Sequence, residues 1–298
     1  MRPRGRRLPH GQLGPAAVGR PARPEAATLK TLLVAAVLAW AGMAAFLWLA
    51  QDGMLFFPQP ARGPAAAPPG WALEPVSLAA ADGTRLAGVL ALPPGAAATT
   101  RHPAVIYFGG NAEEVTASAR EAGRRYGRRA VLLVNYRGYG ESGGKPGEAA
   151  IVADALALHD WLSRHPRVDA ARIAVHGRSL GSAVAVQLAA ARPVRCAVLT
   201  SPFESLAAVG RAHYPWLPVG LLLRHRFDSA AAAARVRIPA LVIHAGADTI
   251  IPPAHSDRLA KAWGGPVERL ALEGFGHNDL DLDPRVDPAI AAFLDRHL

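Results

Sequence analysis

A short turn between a predicted strand and a predicted helix constrains this chain more than any other stretch. Residues 173–176 are apolar and partly β-branched, as in a buried strand, whereas residues 182–192 are rich in alanine, carry apolar residues at helical spacing and end before Pro193. Between them lies the sequence Gly-Arg-Ser-Leu-Gly at residues 177–181. A strand joined to a helix by so short a turn is typical of α/β proteins with a helix-covered sheet.

The centre of this turn is Ser179, in a Gly-x-Ser-x-Gly pattern. A serine on a tight turn needs small neighbours, and Gly177 and Gly181 let the strand and the helix approach each other closely. The backbone N–H of Leu180, at the start of the helix, is placed to donate to a developing oxyanion. A glycine-rich turn can carry the same letters by chance, but the strand–turn–helix setting favours a nucleophilic serine.

The rest of the chain alternates between apolar runs and helical patterns. Strands are predicted at residues 89–92, 104–108, 130–136, 172–176, 196–200, 240–245 and 267–272. Helices are predicted at residues 112–126, 147–165, 182–192, 254–263 and 287–297. Near-continuous apolar strands between helices predict a mostly parallel sheet covered on both faces. Residues 202–237 break the alternation, and we expect either two helices packed on the sheet edge or a small helical cap over the site.

Two titratable residues follow the last two predicted strands. Asp248 comes after the sixth strand and His277 after the seventh, and in an open α/β sheet the reactive groups gather at the carboxyl ends of the strands. His277 would accept the proton of Ser179 and pass it to the leaving group, while Asp248 would hold the imidazole in one tautomer. We therefore predict a triad of Ser179, His277 and Asp248, with Asp228 as the alternative acid.

A second oxyanion donor is expected from the loop after the second predicted strand. This loop begins Gly109-Gly110-Asn111, and we assign the donor to the backbone N–H of Asn111, whose side chain also suits a helix N-cap. The acids Asp279, Asp281 and Asp283 are interpreted as solvated turn charges. The remaining histidines lack ligand spacing, so a metal site is not expected.

The N-terminal region has a different composition. The net charge of the 298 residues is +10, but residues 1–30 contain seven Lys or Arg and one Glu, which places +6 in a tail rather than on the fold. Nucleic acid is therefore not an expected partner. Residues 31–50 carry no charge and are long enough to span a bilayer core of about 30 Å. The preceding cations predict a cytoplasmic N-terminus and an extracytoplasmic domain, with a cleaved signal peptide as the alternative.

These patterns predict a basic disordered tail at 1–30, a transmembrane helix at 31–50 and a linker rich in Pro, Ala and Gly at 51–75. A catalytic domain would follow at 76–298, with the cap segment at 202–237. The single cysteine, Cys196, lies in an apolar run and is interpreted as a small buried side chain.

Several stretches, in this order, resemble the α/β-hydrolase superfamily, and within it the membrane-anchored, acylglycerol-lipase and depalmitoylase-like branch. They are residues 54–58 (Met-Leu-Phe-Phe-Pro), 107–112 (Tyr-Phe-Gly-Gly-Asn-Ala), 135–144 (Asn-Tyr-Arg-Gly-Tyr-Gly-Glu-Ser-Gly-Gly), 177–182, 200–203, 248–252 and 276–279. The resemblance implies an α/β-hydrolase fold with a small helical cap, a Ser-His-Asp esterase or thioesterase without cofactor or metal, and the roles given above to Ser179, Asp248, His277, Asn111 and Leu180. One departure stands out, because the family usually has His where this chain has Gly109.

The resulting prediction is a single-pass protein of a bacterial inner membrane that cleaves carboxylic esters or thioesters, lipid-like ones included, through an acyl-enzyme. Its partners would be a small acyl ester and, through residues 31–50, the membrane; the oligomeric state is left open. A peptidase on the same fold and a non-catalytic membrane-anchored binding protein are the alternative functions.

Overall fold

The structure is a computed structural model that describes residues 26–95 and 99–298. Residues 1–25 of the predicted basic tail lie outside the described residues, whereas residues 26–30 belong to the first helix rather than to a disordered tail. The chain divides between Ala45 and Phe46 into two compact units, and the second, residues 46–298, contains the whole sheet.

Helix α1 spans Ala26–Leu55 and includes the uncharged stretch at 31–50. Its segment Thr28–Leu55 is long and apolar enough to cross a membrane, a criterion that an N-terminal signal sequence also meets. The helix ends five residues later than the predicted span, so the start of the predicted linker 51–75 is helical.

The sheet has eight strands: β1 (Ala72–Ala79), β2 (Arg85–Leu92), β3 (His102–Phe108), β4 (Ala130–Val134), β5 (Val168–Arg178), β6 (Ala197–Thr200), β7 (Ala240–Ala245) and β8 (Val267–Leu272). Their order across the sheet is β1-β2-β4-β3-β5-β6-β7-β8. Strand β2 pairs antiparallel with β1 and β4, and every other pairing is parallel. The predicted mostly parallel sheet is thus confirmed, and its carboxyl edge gathers the loops after β3, β5, β7 and β8.

Strand β1 was not expected, because part of it falls in the predicted linker. It contains Pro75, which cannot donate to a neighbouring strand. The strand pairs only with β2, at the edge of the sheet, where a proline is tolerated. A proline-rich flank therefore concealed an edge strand, whereas the fully buried strands in the middle were recognisable from their apolar runs.

Helices cover both faces of the sheet. They are α2 (Ala122–Tyr126), α3 (Glu148–Ser163), α4 (Leu180–Ala191), α5 (Leu206–His213), α6 (Val219–Leu222), α7 (Ser229–Ala233), α8 (Pro253–Ala262) and α9 (Val286–His297), with 3-10 helices at Val115–Glu121 and Leu280–Leu282. Along β3, Ile106 and Phe108 pack in the cluster that contains α3, α4 and α8. The alternate residues Val105 and Tyr107 pack in the cluster that contains α2 and α9. This alternation is the period-2 pattern of a strand buried on both sides.

Two predicted helical regions differ in detail. The helix expected at 112–126 is a 3-10 helix followed by the short helix α2, and Glu114 caps the 3-10 helix by accepting from the N–H groups of Thr116 and Ala117. Residues 202–237, which we call the cap segment, contain the three short helices α5, α6 and α7.

Candidate active site

The nucleophile candidate Ser179 lies in the turn between β5 and α4, with φ 53° and ψ −119°. A positive φ is strained for a residue other than glycine. The turn is held by a hydrogen bond of 2.8 Å from the N–H of Ser179 to the carbonyl oxygen of Thr200. A Cβ atom at Gly177 or Gly181 would collide with backbone atoms of the facing segment, so neither position has room for a side chain.

The structure brings together the three residues of the predicted triad. Nε2 of His277 lies 2.9 Å from Oγ of Ser179, and Nδ1 of His277 lies 2.7 Å from Oδ2 of Asp248. All three residues are buried, with at most 8% of their surface exposed. A carboxylate at Nδ1 favours the tautomer with its proton there, which leaves Nε2 free to accept the proton of the serine.

The other carboxylate oxygen of Asp248, Oδ1, also accepts hydrogen bonds. It accepts hydrogen bonds from the N–H groups of Ile250, at 2.9 Å, and Ile251, at 2.7 Å. Burial by itself raises the pKa of Asp248, but the hydrogen bonds from His277 and the two amides outweigh burial and bring the pKa below its ordinary value. Asp248 is therefore a carboxylate in position to stabilise an imidazolium at His277.

The two predicted oxyanion donors border the same cavity as Ser179. Leu180 is the first residue of α4, and the first N–H groups of a helix have no acceptor within the helix. Asn111 belongs to the loop after β3, but its side chain does not cap a helix as expected. Its Nδ2 atom donates to the carbonyl oxygen of Leu55, at 3.0 Å, and the cap is Glu114.

The loop that carries Asn111 is braced by the chain segment after α1. The carbonyl oxygen of Asn111 accepts from the N–H of Phe57, at 3.0 Å, and from the hydroxyl of Tyr139, at 2.6 Å. Leu55 and Phe57 also line the cavity. Residues that were predicted to be a linker thus form part of the candidate site, through contacts that are distant in sequence.

The departure at Gly109 has a structural counterpart. A Cβ atom at this position would lie 2.6 Å from Cγ1 of Val115 and 2.9 Å from Cδ of Glu113, so a histidine does not fit in this arrangement. Glu113 accepts from the N–H of Gly110, at 2.9 Å, and from the hydroxyl of Tyr107, at 2.8 Å. The side chain of Glu113 therefore occupies the space beside Gly109 and holds the loop through these hydrogen bonds.

Sequence reasoning missed Arg178, the residue before Ser179. One nitrogen of its guanidinium donates to the carbonyl oxygen of His277, at 3.0 Å, and to Oδ1 of Asn278, at 3.3 Å. Another lies 3.8 Å from Glu113. Arg178 therefore connects the loop after β8 with the loop after β3. A charged side chain between two glycines beside the predicted nucleophile was the signal that could have revealed it.

The alternative triad acid does not reach the histidine. Asp228 is the N-cap of α7 and accepts from the N–H of Ala231, at 3.3 Å. Among the three acids after His277, Asp279 accepts from the N–H of Gly276, at 2.6 Å, and Asp281 pairs with Arg125, at 3.1 Å.

The interpretation of Asp283 as a solvated charge was wrong. Only 5% of this residue is exposed, and its carboxylate pairs with Arg285, at 2.7 Å. Cys196 is buried as expected, and burial raises the pKa of its thiol to about 12. Within residues 26–95 and 99–298, no cluster of three His, Cys, Asp or Glu is arranged to hold a metal ion.

The cavity at Ser179 has a volume of about 670 Å³, which is in the usual range for small-molecule sites. Its apolar wall consists of Leu55, Phe57, Leu180, Phe203, Leu206, Val209, Ile250 and Ile251. Its polar wall includes Glu113, Glu121, Arg125, Arg178, Asn278 and Asp281. The arrangement can hold a molecule with an apolar and a polar part, with the reactive oxygen of Ser179 beside it.

Comparisons with known proteins identify the family of the chain. A family model described as X-Pro dipeptidyl-peptidase (S15 family) matches residues 82–237, just over half of the chain. An uncharacterized protein of Mycobacterium tuberculosis (strain H37Rv) is 41% identical over 260 residues, which cover 87% of this chain and 91% of the relative. The human alpha/beta hydrolase domain-containing protein 17B is 31% identical over 154 residues, 51% of each chain.

A solved structure shares the fold. The acetyl xylan esterase from Paenibacillus sp. R4 superposes with a TM-score of 0.65 at 20% identity, covering 86% of this chain and 94% of that chain. With an eight-stranded, mostly parallel sheet, a strand–serine–helix turn and these relatives, the chain belongs to the α/β-hydrolase superfamily of hydrolases and, within it, to the family described as X-Pro dipeptidyl-peptidase (S15).

Proposed function

We propose that the chain is a serine hydrolase that cleaves carboxylic esters or thioesters, lipid-like ones included, through an acyl-enzyme on Ser179. One observation carries the proposal: a continuous hydrogen-bonded path runs from Asp248 through His277 to Ser179, over 2.7 and 2.9 Å. This path is the arrangement by which a serine hydroxyl becomes a nucleophile at neutral pH.

In the first half of the reaction, Oγ of Ser179 forms a bond to the carbonyl carbon of the substrate while its proton moves to Nε2 of His277. The electron pair of the C=O bond moves to the oxygen, where the N–H groups of Leu180 and Asn111 stabilise it. His277 then gives its proton to the leaving alcohol or thiol as the bond to the leaving group breaks. Asp248 stabilises the imidazolium between these steps.

In the second half, water replaces the serine as the nucleophile. His277 takes a proton from the water as its oxygen bonds to the acyl carbon, and then returns a proton to Oγ of Ser179 as the acid leaves. The apolar wall of the cavity is suited to the acyl group, and the polar wall to the leaving group. No further reactant is needed.

A peptidase is the second candidate, favoured by the match of residues 82–237 to the X-Pro dipeptidyl-peptidase family model. The same triad can attack an amide, which differs from an ester in its poorer leaving group. The acids on the polar wall, Glu113, Glu121 and Asp281, suit a peptide amino group in their charge. Turnover of an Xaa-Pro p-nitroanilide beside a p-nitrophenyl ester and a thioester separates the two candidates.

The deciding experiment is labelling with a fluorophosphonate probe. We expect the full chain to be labelled, Ser179→Ala to lose the label and Ser118→Ala to keep it, because Ser118 lines the same cavity but donates towards Glu113 rather than His277. A folded chain that takes no label would contradict the proposal and favour the non-catalytic binding protein.

We further propose that α1 anchors the protein in a bacterial inner membrane, with the N-terminus in the cytoplasm and the hydrolase domain outside. The support is the long apolar helix and the cations before it. A C-terminal alkaline phosphatase fusion should be active, and intact-mass measurement should find an uncleaved N-terminus. An intact mass that corresponds to a chain beginning near residue 46 would favour a cleaved signal peptide instead.

A further inference from the structure

Exposed apolar side chains cluster on the cap segment, at the last turns of α1 and at the loop after β7. Leu221 is 87% exposed and Trp216 54%, although both are large and apolar. We define the cap surface as Trp48, Leu49, Tyr214, Trp216, Leu221 and Ile250, all of which are at least 43% exposed. A clustered apolar surface of this kind marks a binding site in a folded protein more often than isolated exposed residues do.

Specific contacts join the last turns of α1 to the cap. Nε2 of Gln51 donates to the carbonyl oxygen of Leu222, at 3.2 Å, and Oε1 of Gln51 accepts from the N–H of Arg224, at 2.7 Å. The guanidinium of Arg224 lies 5.2 Å from the ring centroid of Trp48 and also pairs with Asp52, at 2.9 Å. Leu221, next to the docked Leu222, is thus held near the point where the helix enters the domain.

The same surface borders the opening of the active-site cavity. Ile250 and Phe57 line the cavity and are 49% and 45% exposed, so they lie where the cavity meets solvent. Nε2 of His213 is 2.9 Å from the carbonyl oxygen of Ile250, which joins the cap to this opening. The rings of Tyr214 and Trp216 are in edge-to-face contact, with centroids 6.5 Å apart. The aromatic part of the cap surface therefore adjoins the opening.

Positive charges outnumber negative ones within the cap segment between residues 205 and 227, although Asp52 of α1 pairs with Arg224. Residues 205–227 contain three arginines, Arg211, Arg224 and Arg226, and no Asp or Glu. Tyr and Trp are the side chains enriched at both membrane–water interfaces. Cations close to a bilayer are also attracted to anionic lipids.

We propose that the cap surface contacts the bilayer in which α1 is anchored, and that the cavity receives its acyl ester directly from that bilayer. The bilayer is the occupant that the chain itself supplies, because the uncharged stretch 31–50 of α1 includes, near its end, Trp48 and Leu49 of this surface. Gln51 and Asp52 follow at once and bind the cap, which marks the polar end of the span. The part of the inference that concerns substrate rests on the proposed hydrolase function.

Contact with lipid can be measured without reference to catalysis. The full chain is reconstituted in vesicles of phosphatidylcholine and phosphatidylglycerol, with the environment-sensitive fluorophore NBD attached to Leu221→Cys or, as a matched control, to Leu282→Cys. Leu282 is 77% exposed and lies outside the cap surface. Cys196 should stay unlabelled, because it is buried and burial raises the pKa of its thiol to about 12.

We expect doxyl-labelled lipids to quench the fluorophore at position 221 and not at position 282. Quenching at position 221 by aqueous iodide alone would overturn the proposal, because the surface would then face water. Shielding from both quenchers would also overturn it, and would indicate that a second copy of the chain covers the cap surface.

Delivery of substrate from the bilayer is tested by a ratio of rates. The variant Trp216→Glu/Leu221→Glu should hydrolyse a long-chain ester embedded in the vesicles about tenfold more slowly, since charges replace apolar side chains at the interface. Its rate on a short soluble ester should stay within about twofold of the wild type, as should both rates of Leu282→Glu. If Trp216→Glu/Leu221→Glu lost the same fraction of its rate on both esters, delivery of the substrate from the bilayer would be overturned. A wild-type chain that hydrolyses neither ester but shows lipid quenching at position 221 would reject the hydrolase function and leave the lipid contact standing.

Discussion

The hydroxyl of Tyr139 lies 2.6 Å from the backbone carbonyl oxygen of Asn111 and donates a hydrogen bond to it. The same hydroxyl accepts from the N–H of Phe57, at 3.0 Å. Burial raises the pKa of Tyr139 to about 12, so the hydroxyl keeps its proton at neutral pH and remains a donor. The residue that carries a proposed oxyanion donor is thereby fixed to the core and to the segment after α1.

Tyr139→Phe should lower kcat about tenfold and leave KM nearly unchanged, because a displaced oxyanion donor weakens binding of the transition state more than binding of the ester. The matched control is Tyr126→Phe, which removes another buried hydroxyl, 2.7 Å from Nδ1 of His176 and away from the loop. Steady-state kinetics and thermal melting of both variants check this. A similar loss of kcat in the two variants would show that Tyr139 acts only through stability.

Arg178→Met should reduce kcat/KM about tenfold, because the loop that carries His277 loses its hydrogen bonds to the guanidinium. Arg178→Lys should recover only part of the activity, since an ammonium cannot reproduce the planar fork of donors. Arg172→Met is the control on the same strand, where Arg172 forms an exposed pair with Asp169 and contributes little. Rates of ester hydrolysis by the three variants test this prediction. Wild-type activity in Arg178→Met would refute a role of Arg178 in positioning the loop that carries His277.

Gly109→Ala should lower both the melting temperature and kcat. The new methyl group would lie 2.6 Å from Val115 and 2.9 Å from Glu113, so Glu113 must move from the N–H of Gly110 that it binds. Gly53→Ala, in helix α1, should not lower stability, because nothing lies within 4 Å of its Cβ position and alanine favours a helix. Calorimetry and ester turnover test both variants. A melting temperature and kcat of Gly109→Ala equal to those of the wild type would show that the loop tolerates a side chain.

Acid should destabilise the fold partly through Asp160. A hydrogen bond from Arg192 is the main cause that lowers the pKa of Asp160 from 3.8 to about 2 in the folded chain. A folded-state pKa below the unfolded value means that the carboxylate stabilises the fold above about pH 4 and that this stabilisation is lost as the pH falls towards 2. Urea unfolding of Asp160→Asn should show a shallower loss of stability over that range than the wild type does. An equal fall in the free energy of unfolding with pH in Asp160→Asn and the wild type would contradict this role of Asp160.

Features encoded by adjacent residues were predictable from the sequence. Gly177 and Gly181 indicate the turn because the need for small residues there is local. The proximity of Asp248 and His277 was predictable because parallel strands bring their carboxyl ends to one edge of the sheet. The apolar runs of β3 to β8 predicted the parallel part of the sheet for the same reason.

Features that depend on distant contacts were not predictable. The hydrogen bond between Leu55 and Asn111 joins residues 56 positions apart, and no periodicity marks either partner. Arg178 and the loop after β8 are separated by about a hundred residues, so their contact follows from the fold and not from a motif. Strand β1 was hidden because Pro75 argues against a strand unless the strand is known to lie at an edge.

The cavity wall formed by Leu55 and Phe57 has a consequence for how such proteins can be assembled by recombination. A gene fusion that exchanged the leader up to Pro58 for an unrelated one would also exchange two residues that line the cavity and two hydrogen bonds to Asn111. An exchanged N-terminal segment would keep these cavity residues and hydrogen bonds only if the junction lay before Leu55.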